Sequence, residues 1–233
     1  MKKTICALLA AALLCAAIIP TAVAGYTYAD ATGHWAEQEI TEILDKGWMD
    51  GMTRSQFKPD TPVTRATLVT ALYRMSGSPE PKDFELVPAA NAAFTDLPDD
   101  AEVSRAINWA ADNGIVTGYN NQFRPDDSLT RQELAAIFWR YAGWQGYDNR
   151  SSGSLSAFSD RGEVAGWAKT AVSWAIEQNL LSGMGDGTLA PEGTATRAQL
   201  AAILLRYEAA AAQLPPAPDA EIPAQPSVPT VKE

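Results

Sequence analysis

The chain has 233 residues and a net charge of −10, with 28 acidic against 18 basic side chains. A surface of that sign repels nucleic acid and anionic lipid at long range, so neither is an expected partner, and an anionic ligand has to be captured by a local cluster of cations. Both cysteines, Cys6 and Cys15, lie at the extreme N-terminus, and His34 is the lone histidine, which disfavours disulfide staples, thiolate metal sites and histidine-based catalysis.

The first segment, MKKTICALLAAALLCAAIIPTAVAG, reads as a secretory signal peptide covering 1–24. Lys2 and Lys3 form a positive start, residues 4–19 are apolar and uncharged, and Ala22-Val23-Ala24 supplies a small-residue cleavage pattern before Gly25. An uncleaved membrane anchor is the alternative, but the apolar run is short for a spanning helix. Leu14, ahead of Cys15, is too large for a lipoprotein signal. Cleavage would leave a cysteine-free chain of charge −12, with no second run long enough to span a bilayer.

Three similar units follow, opening at Tyr28, Phe94 and Phe158. Arg65, Arg131 and Arg197 are 66 residues apart, and the same period relates Leu68, Leu134 and Leu200, then Leu72, Phe138 and Leu204, then Arg74, Arg140 and Arg206. A period kept at four positions marks a repeat architecture. Each unit begins aromatic-x-Asp (Asp30, Asp96, Asp160) and continues into an amphipathic helix, expected at about 34–46, 101–113 and 166–178. Trp167, Ala171, Trp174, Ala175 and Gln178 share one face of the third such helix. A glycine turn comes next (Gly51, Gly118, Gly183), then Phe57-Lys58-Pro59-Asp60 or Phe123-Arg124-Pro125-Asp126. A second helix starts at the Thr-Arg pair. In the middle unit Thr130 and Glu133 are spaced as a capping box, and Leu134, Ile137, Phe138 and Tyr141 form an apolar stripe.

The expected class is therefore all-α: three helix–loop–helix units at 25–77, 94–143 and 158–211, joined by linkers 78–93 and 144–157 and ending in a Pro-rich, disordered or extended tail at 212–233. One unit alone is too small to bury a core, so the three are expected to pack around a pseudo-threefold axis.

Aromatic-x-Asp, the His34-Trp35-Ala36 opening, the glycine turn, Phe-x-Pro-Asp and Thr-Arg-Ala/Gln-x-Leu, repeated in order over residues 28–210, resemble the S-layer homology (SLH) domain. The resemblance implies a pseudo-trimeric, three-pronged helical bundle that anchors an exported protein non-covalently to cell-wall polysaccharide, often a pyruvylated, peptidoglycan-linked polymer, held in grooves between modules. It implies groove residues Asp30, Trp35, Gly51 and Arg65 from the first copy, Asp96, Gly118 and Arg131 from the second, and Asp160, Trp167, Gly183 and Arg197 from the third. Two departures stand out. The tryptophan position of the second copy falls on Glu102 or Val103, neither of which can stack on a sugar ring, so the second module is expected to bind weakly or serve structurally. The third loop reads Thr188-Leu189-Ala190-Pro191, without the aromatic and the cation.

The residues themselves leave alternatives. Arg at the first position of a helix sits at the positive end of the dipole, which favours carboxylates. Either it answers a nearby acid such as Asp60 or Asp126, or it joins free helix-start N–H groups in an anion site. The three aspartates could cap the turn into the first helix, and Trp35 and Trp167 could be core. Trp109 and Trp174 are expected in the core, Arg74, Arg140 and Arg206 as structural cations near helix C-termini, and His34 as an exposed helix-start residue. Thr67 and Gln199 replace Glu133 in the flanking copies. The calcium-loop series, a P-loop, a nucleophile elbow and HExxH are absent, so no metal, cofactor or catalytic group is expected. The runner-up is an envelope-lattice or assembly subunit working through protein contacts, and the tail is a spacer or a partner-binding segment.

Overall fold

The computed structural model describes residues 28–79 and 94–218. The signal segment, most of the first linker and the end of the tail lie outside the described residues. Six α-helices account for the regular structure of the described residues: α1 Glu37–Asp45, α2 Arg65–Met75, α3 Ala101–Asp112, α4 Arg131–Trp144, α5 Lys169–Glu177 and α6 Arg197–Ala211, with a short 3₁₀ turn at Arg161–Glu163. Among the described residues there is no strand, only isolated bridges. The expected all-α class is what is found.

The second helices start where the Thr-Arg pairs place them. Thr64, Thr130 and Thr196 each accept the N–H three residues on, and Thr130–Glu133 and Thr196–Gln199 form complete capping boxes. The first helices start later than expected in two copies. α1 and α5 have alanine at the cap position and no side-chain cap, so Trp35 and Trp167 sit in the turn ahead of the helix. In the middle copy Asp100 accepts from Glu102 and Val103 N–H, and α3 begins at Ala101.

The two helices of a unit do not pack chiefly on each other. α2 packs on α3, α4 on α5 and α6 on α1, so each prong pairs the second helix of one module with the first helix of the next, and the last prong closes the ring. The segments before the second helices meet in a cyclic triangle of backbone hydrogen bonds: Val63 N–H to Ala195 C=O at 2.8 Å, Ala195 N–H to Leu129 C=O at 3.0 Å, and Leu129 N–H to Val63 C=O at 3.0 Å. Leu68, Leu72, Leu134, Phe138, Leu200 and Leu204, the residues of the 66-residue period, are all buried in one core. Burial of one such side chain contributes about 1.5–3 kcal/mol. The second helices meet through side chains, with Phe138 and Tyr141 each against Tyr207 at ring distances of 5.4 and 5.3 Å.

The connector after α4 is packed. Trp139 donates its indole N–H to Asn149 C=O, and Asn149 returns a bond to Trp139 C=O. The start of the tail is held too: Asp148 N–H donates to Pro215 C=O and Ala217 N–H to Gly146 C=O, both at 2.8 Å. Residues 212–217 thus find backbone partners on this connector, with an antiparallel bridge between Tyr147 and Pro216.

Candidate functional site

The three arginines point into the neighbouring module. Arg65 donates Nε to Phe123 C=O and Nη2 to Thr117 C=O, both at 2.9 Å. Arg131 does the same to Leu189 C=O at 2.8 Å and Ser182 C=O at 2.6 Å. Arg197 takes Phe57 C=O and Asp50 C=O. The helix-start N–H groups beside them are also taken: Arg131 N–H by Gly193 C=O and Gln132 N–H by Pro191 C=O, with equivalent pairs at Arg65 and Arg197. Both sequence expectations are thereby corrected. No acid pairs with these arginines among the described residues, and the N–H groups are not free, because the loop of the next module brings carbonyls to each helix start. Arg131 and Arg197 are buried, and burial lowers the pKa of all three without discharging them. Arg65 and Arg197 also lie over the Phe123 and Phe57 rings at 4.6 and 4.5 Å, a contact that Leu189 denies Arg131.

The three aspartates hold the loop that follows the glycine turn rather than the first helix. Asp30 accepts from Phe57 and Lys58 N–H at 3.0 and 2.7 Å, Asp96 from Phe123 and Arg124 at 2.8 and 2.7 Å, and Asp160 from Leu189 and Ala190 at 2.8 and 2.7 Å. Lys58, Arg124 and Ala190 have φ of 56°, 59° and 51°, a left-handed conformation that side chains resist, and the carboxylate clamp holds it. For Asp160 the bond from Leu189 N–H leads in pulling the carboxyl below its ordinary range; for Asp30 burial opposes the same pull and loses. The turn glycines are required by close approach: a Cβ on Gly51, Gly118 or Gly183 would strike the aromatic ring that opens its module, Tyr28, Phe94 or Phe158.

Grooves form where three modules converge, and their membership differs from the sequence grouping. The groove of about 260 Å³ at the α6–α1 junction is lined by Arg131 of module two, the Gly183–Met184 turn, Gln199 and Arg206 of module three, and Trp35 of module one. It has two cations and no carboxylate. The groove of about 450 Å³ at the α2–α3 junction joins Arg197 to the Asp50–Gly51 turn, Thr67 and Arg74 of module one, and Glu102 of module two. By the repeat, the third equivalent position joins Arg65 to the Thr117–Gly118 turn at the α4–α5 junction, with Glu133 and Arg140 on α4 and Trp167 in the turn ahead of α5. Arg131 therefore shares a groove with Trp35 and Gly183, and it is Arg197 that faces the position without tryptophan.

Trp35 and Trp167 are both 60% exposed and so are not core, whereas Trp174 is fully buried and Trp109 half-buried. His34 is half-buried, accepting Ala36 N–H on Nδ1 and directing Nε2 to Asp60 at 3.2 Å. Sequence reasoning did not assign Arg206 to a groove. Its 66-residue relation to Arg74 and Arg140 was the available signal. No group of three or more potential metal ligands exists among the described residues, and no helix there is long and apolar enough to cross a membrane.

The sequence model of the S-layer homology domain matches residues 27–68, 93–135 and 157–201. The chain is 31% identical over 179 residues to Exoglucanase XynX of Acetivibrio thermocellus, across 76% of this chain and 16% of that protein. It is 30% identical over 179 residues to Amylopullulanase of Thermoanaerobacterium thermosulfurigenes, 76% of this chain and 9% of the relative. It is 26% identical over 211 residues to S-layer protein sap of Bacillus anthracis, 89% of this chain and 24% of the relative. The chain spans less than a quarter of the length of each of these relatives. With the matched stretches covering more than half of its residues, the chain belongs to the S-layer homology domain family, as three tandem modules of an exported cell-surface protein.

Proposed function

We propose that the bundle binds an acidic, peptidoglycan-linked secondary polysaccharide, pyruvylated or otherwise carrying a carboxylate, and that it does so by recognition without chemistry. The observation that carries this reading is the groove holding Arg131, Arg206 and exposed Trp35: it concentrates two cations with no acid in its lining, on a chain of net charge −10. Against that overall field, such a pocket is where an anion gains most. A tryptophan face ahead of the helix offers an apolar platform for a pyranose ring. Asp30, Asp96 and Asp160 with Gly51, Gly118 and Gly183 serve by fixing the loop and turn that form the groove wall, and Arg65, Arg131 and Arg197 tie that wall to the helix start while keeping their positive charge at its rim. Trp35 and Trp167 supply the stacking surfaces.

Co-sedimentation with purified peptidoglycan sacculi tests it. The chain lacking residues 1–24 should pellet with sacculi that retain their secondary polymer and stay in the supernatant with sacculi stripped of it by hydrofluoric acid. A chain that remains soluble with both preparations works instead through protein contacts, as a lattice or assembly subunit would.

A further inference from the structure

The three grooves are equivalent by repeat but not by charge. At the α2–α3 junction Arg74 is already gripped: its Nε and Nη2 donate to the two carboxylate oxygens of Glu102 at 2.7 and 2.6 Å, and its Nη1 donates to Asp50 at 2.6 Å. Bidentate arginine–carboxylate pairs of this kind are strong and geometrically specific. Glu102 stands where the other copies carry Trp35 and Trp167, and Asp50 where they carry Thr117 and Ser182. The counterparts of Arg74 are Arg140 and Arg206, and neither makes a hydrogen bond or ion pair among the described residues. Arg206 lines the groove of Trp35. By the repeat, Arg140 holds on α4, at the α4–α5 junction, the place that Arg74 holds on α2 and Arg206 on α6. Meanwhile Arg65, Arg131 and Arg197 have two of their donors committed to backbone carbonyls.

Resting on the wall-polymer reading above, we infer that Arg206 and Arg140 are the residues that grip the ligand's carboxylate, in the manner in which Arg74 grips Glu102, and that the Arg74 groove is shut from within by Glu102 and Asp50. The chain is thus bivalent: one groove uses Trp35 with Arg206, the other Trp167 with Arg140, and the third is occupied by an internal surrogate of the ligand's acid. The acid carried by Glu102 replaces the stacking face as well as the charge, so one substitution removes both attractions for an acidic sugar.

The test is the concentration of the chain lacking residues 1–24 that half-saturates sacculi retaining their secondary polymer. Arg206→Gln and Arg140→Gln should each raise it about tenfold or more, and the double variant should not pellet. Arg74→Gln should bind like the parent chain. Removing Arg74 strands two carboxylates and could unfold the prong, so a second variant, Glu102→Trp with Asp50→Ser, installs the pattern of the open grooves and should lower the half-saturating concentration about threefold or more. Parent-like binding by the Arg206 and Arg140 variants, a loss equal to theirs in an Arg74→Gln chain that keeps its helical circular dichroism, or no gain from the Glu102→Trp pair overturns this inference while leaving wall binding intact. A parent chain that does not pellet overturns the wall-polymer reading and this inference with it.

Discussion

Arg131 shows how a cation can be stable at the positive end of a helix. Four carbonyls converge on the start of α4: two accept its first backbone N–H groups and two accept the guanidinium. The partial negative charge of those carbonyls, delivered by the neighbouring module, outweighs the dipole that disfavours the residue. Sequence reasoning could see that the arginine was out of place by local rules and that it recurred; it could not see carbonyls contributed from about 60 residues away. Arg131→Ala leaves Leu189 and Ser182 C=O without their charged donor and should cost about 3 kcal/mol, lowering Tm by about 6–12 °C in thermal denaturation. A loss of wall binding by that variant measures a displaced turn as much as a lost ligand contact, which is why Arg206 and Arg140 are the cleaner probes. The aspartate clamps add a pH dependence with a definite sign. The folded-state pKa values of Asp30 and Asp160 are depressed, so their contribution is fully present above the unfolded value of about 3.9 and is lost as pH falls through the folded one. Tm measured from pH 6 to pH 2 should fall more steeply below about pH 4 for the parent chain than for Asp160→Asn, which no longer titrates there.

At the level of elements, the difference between modules comes from one helix end. Asp100 caps α3, so the helix winds through the stretch that in the other copies is a turn carrying tryptophan. That places Glu102 in the first helical turn, where the dipole favours it and where it meets Arg74 across the prong. Burial opposes but does not reverse the effect of the Arg74 hydrogen bond, and the Glu102 carboxyl stays below its ordinary range. Asp100→Ala removes both N-terminal hydrogen bonds and should cost about 1 kcal/mol, seen as a Tm drop of about 2–4 °C; it should also loosen the Arg74–Glu102 fork, since the turn that aims Glu102 frays. The helices were legible because their apolar positions keep a 3.6-residue period and their Thr-Arg starts recur every 66 residues. The late starts of α1 and α5 were not, because Trp35 and Trp167 continue the apolar pattern into a segment that has no cap to begin a helix.

The whole molecule is closed by exchange. Intervals in the sequence revealed three units and a threefold arrangement, but they order residues along the chain, and partnership here runs across it: Trp35 belongs with Gly183 and Arg131, not with Gly51 and Arg65. Grouping groove residues by module was the natural reading of a repeat; the aspartate and turn glycine stay with their own loop, but the arginine comes from the preceding unit and the tryptophan from the following one, because every second helix finds its partner in the following unit and the ring closes α6 on α1. This topology has a thermodynamic consequence. In a linear solenoid each repeat contacts only its neighbours, and removing a terminal repeat trims stability by one term. Here removal of module three strips α4 of its α5 partner, α1 of its α6 partner and the backbone triangle of two of its three hydrogen bonds. Two exposed helix faces and several unsatisfied buried carbonyls and N–H groups then cost more than a two-module remnant can recover. The full chain should accordingly unfold in a single transition, with calorimetric and van't Hoff enthalpies in agreement. A chain ending at Gly153 should lose most of its far-ultraviolet helical signal at 25 °C, well beyond the loss of α5 and α6 themselves. Retention of helix in proportion to the residues kept would mean that the modules fold independently and that the closed ring is assembled from stable parts.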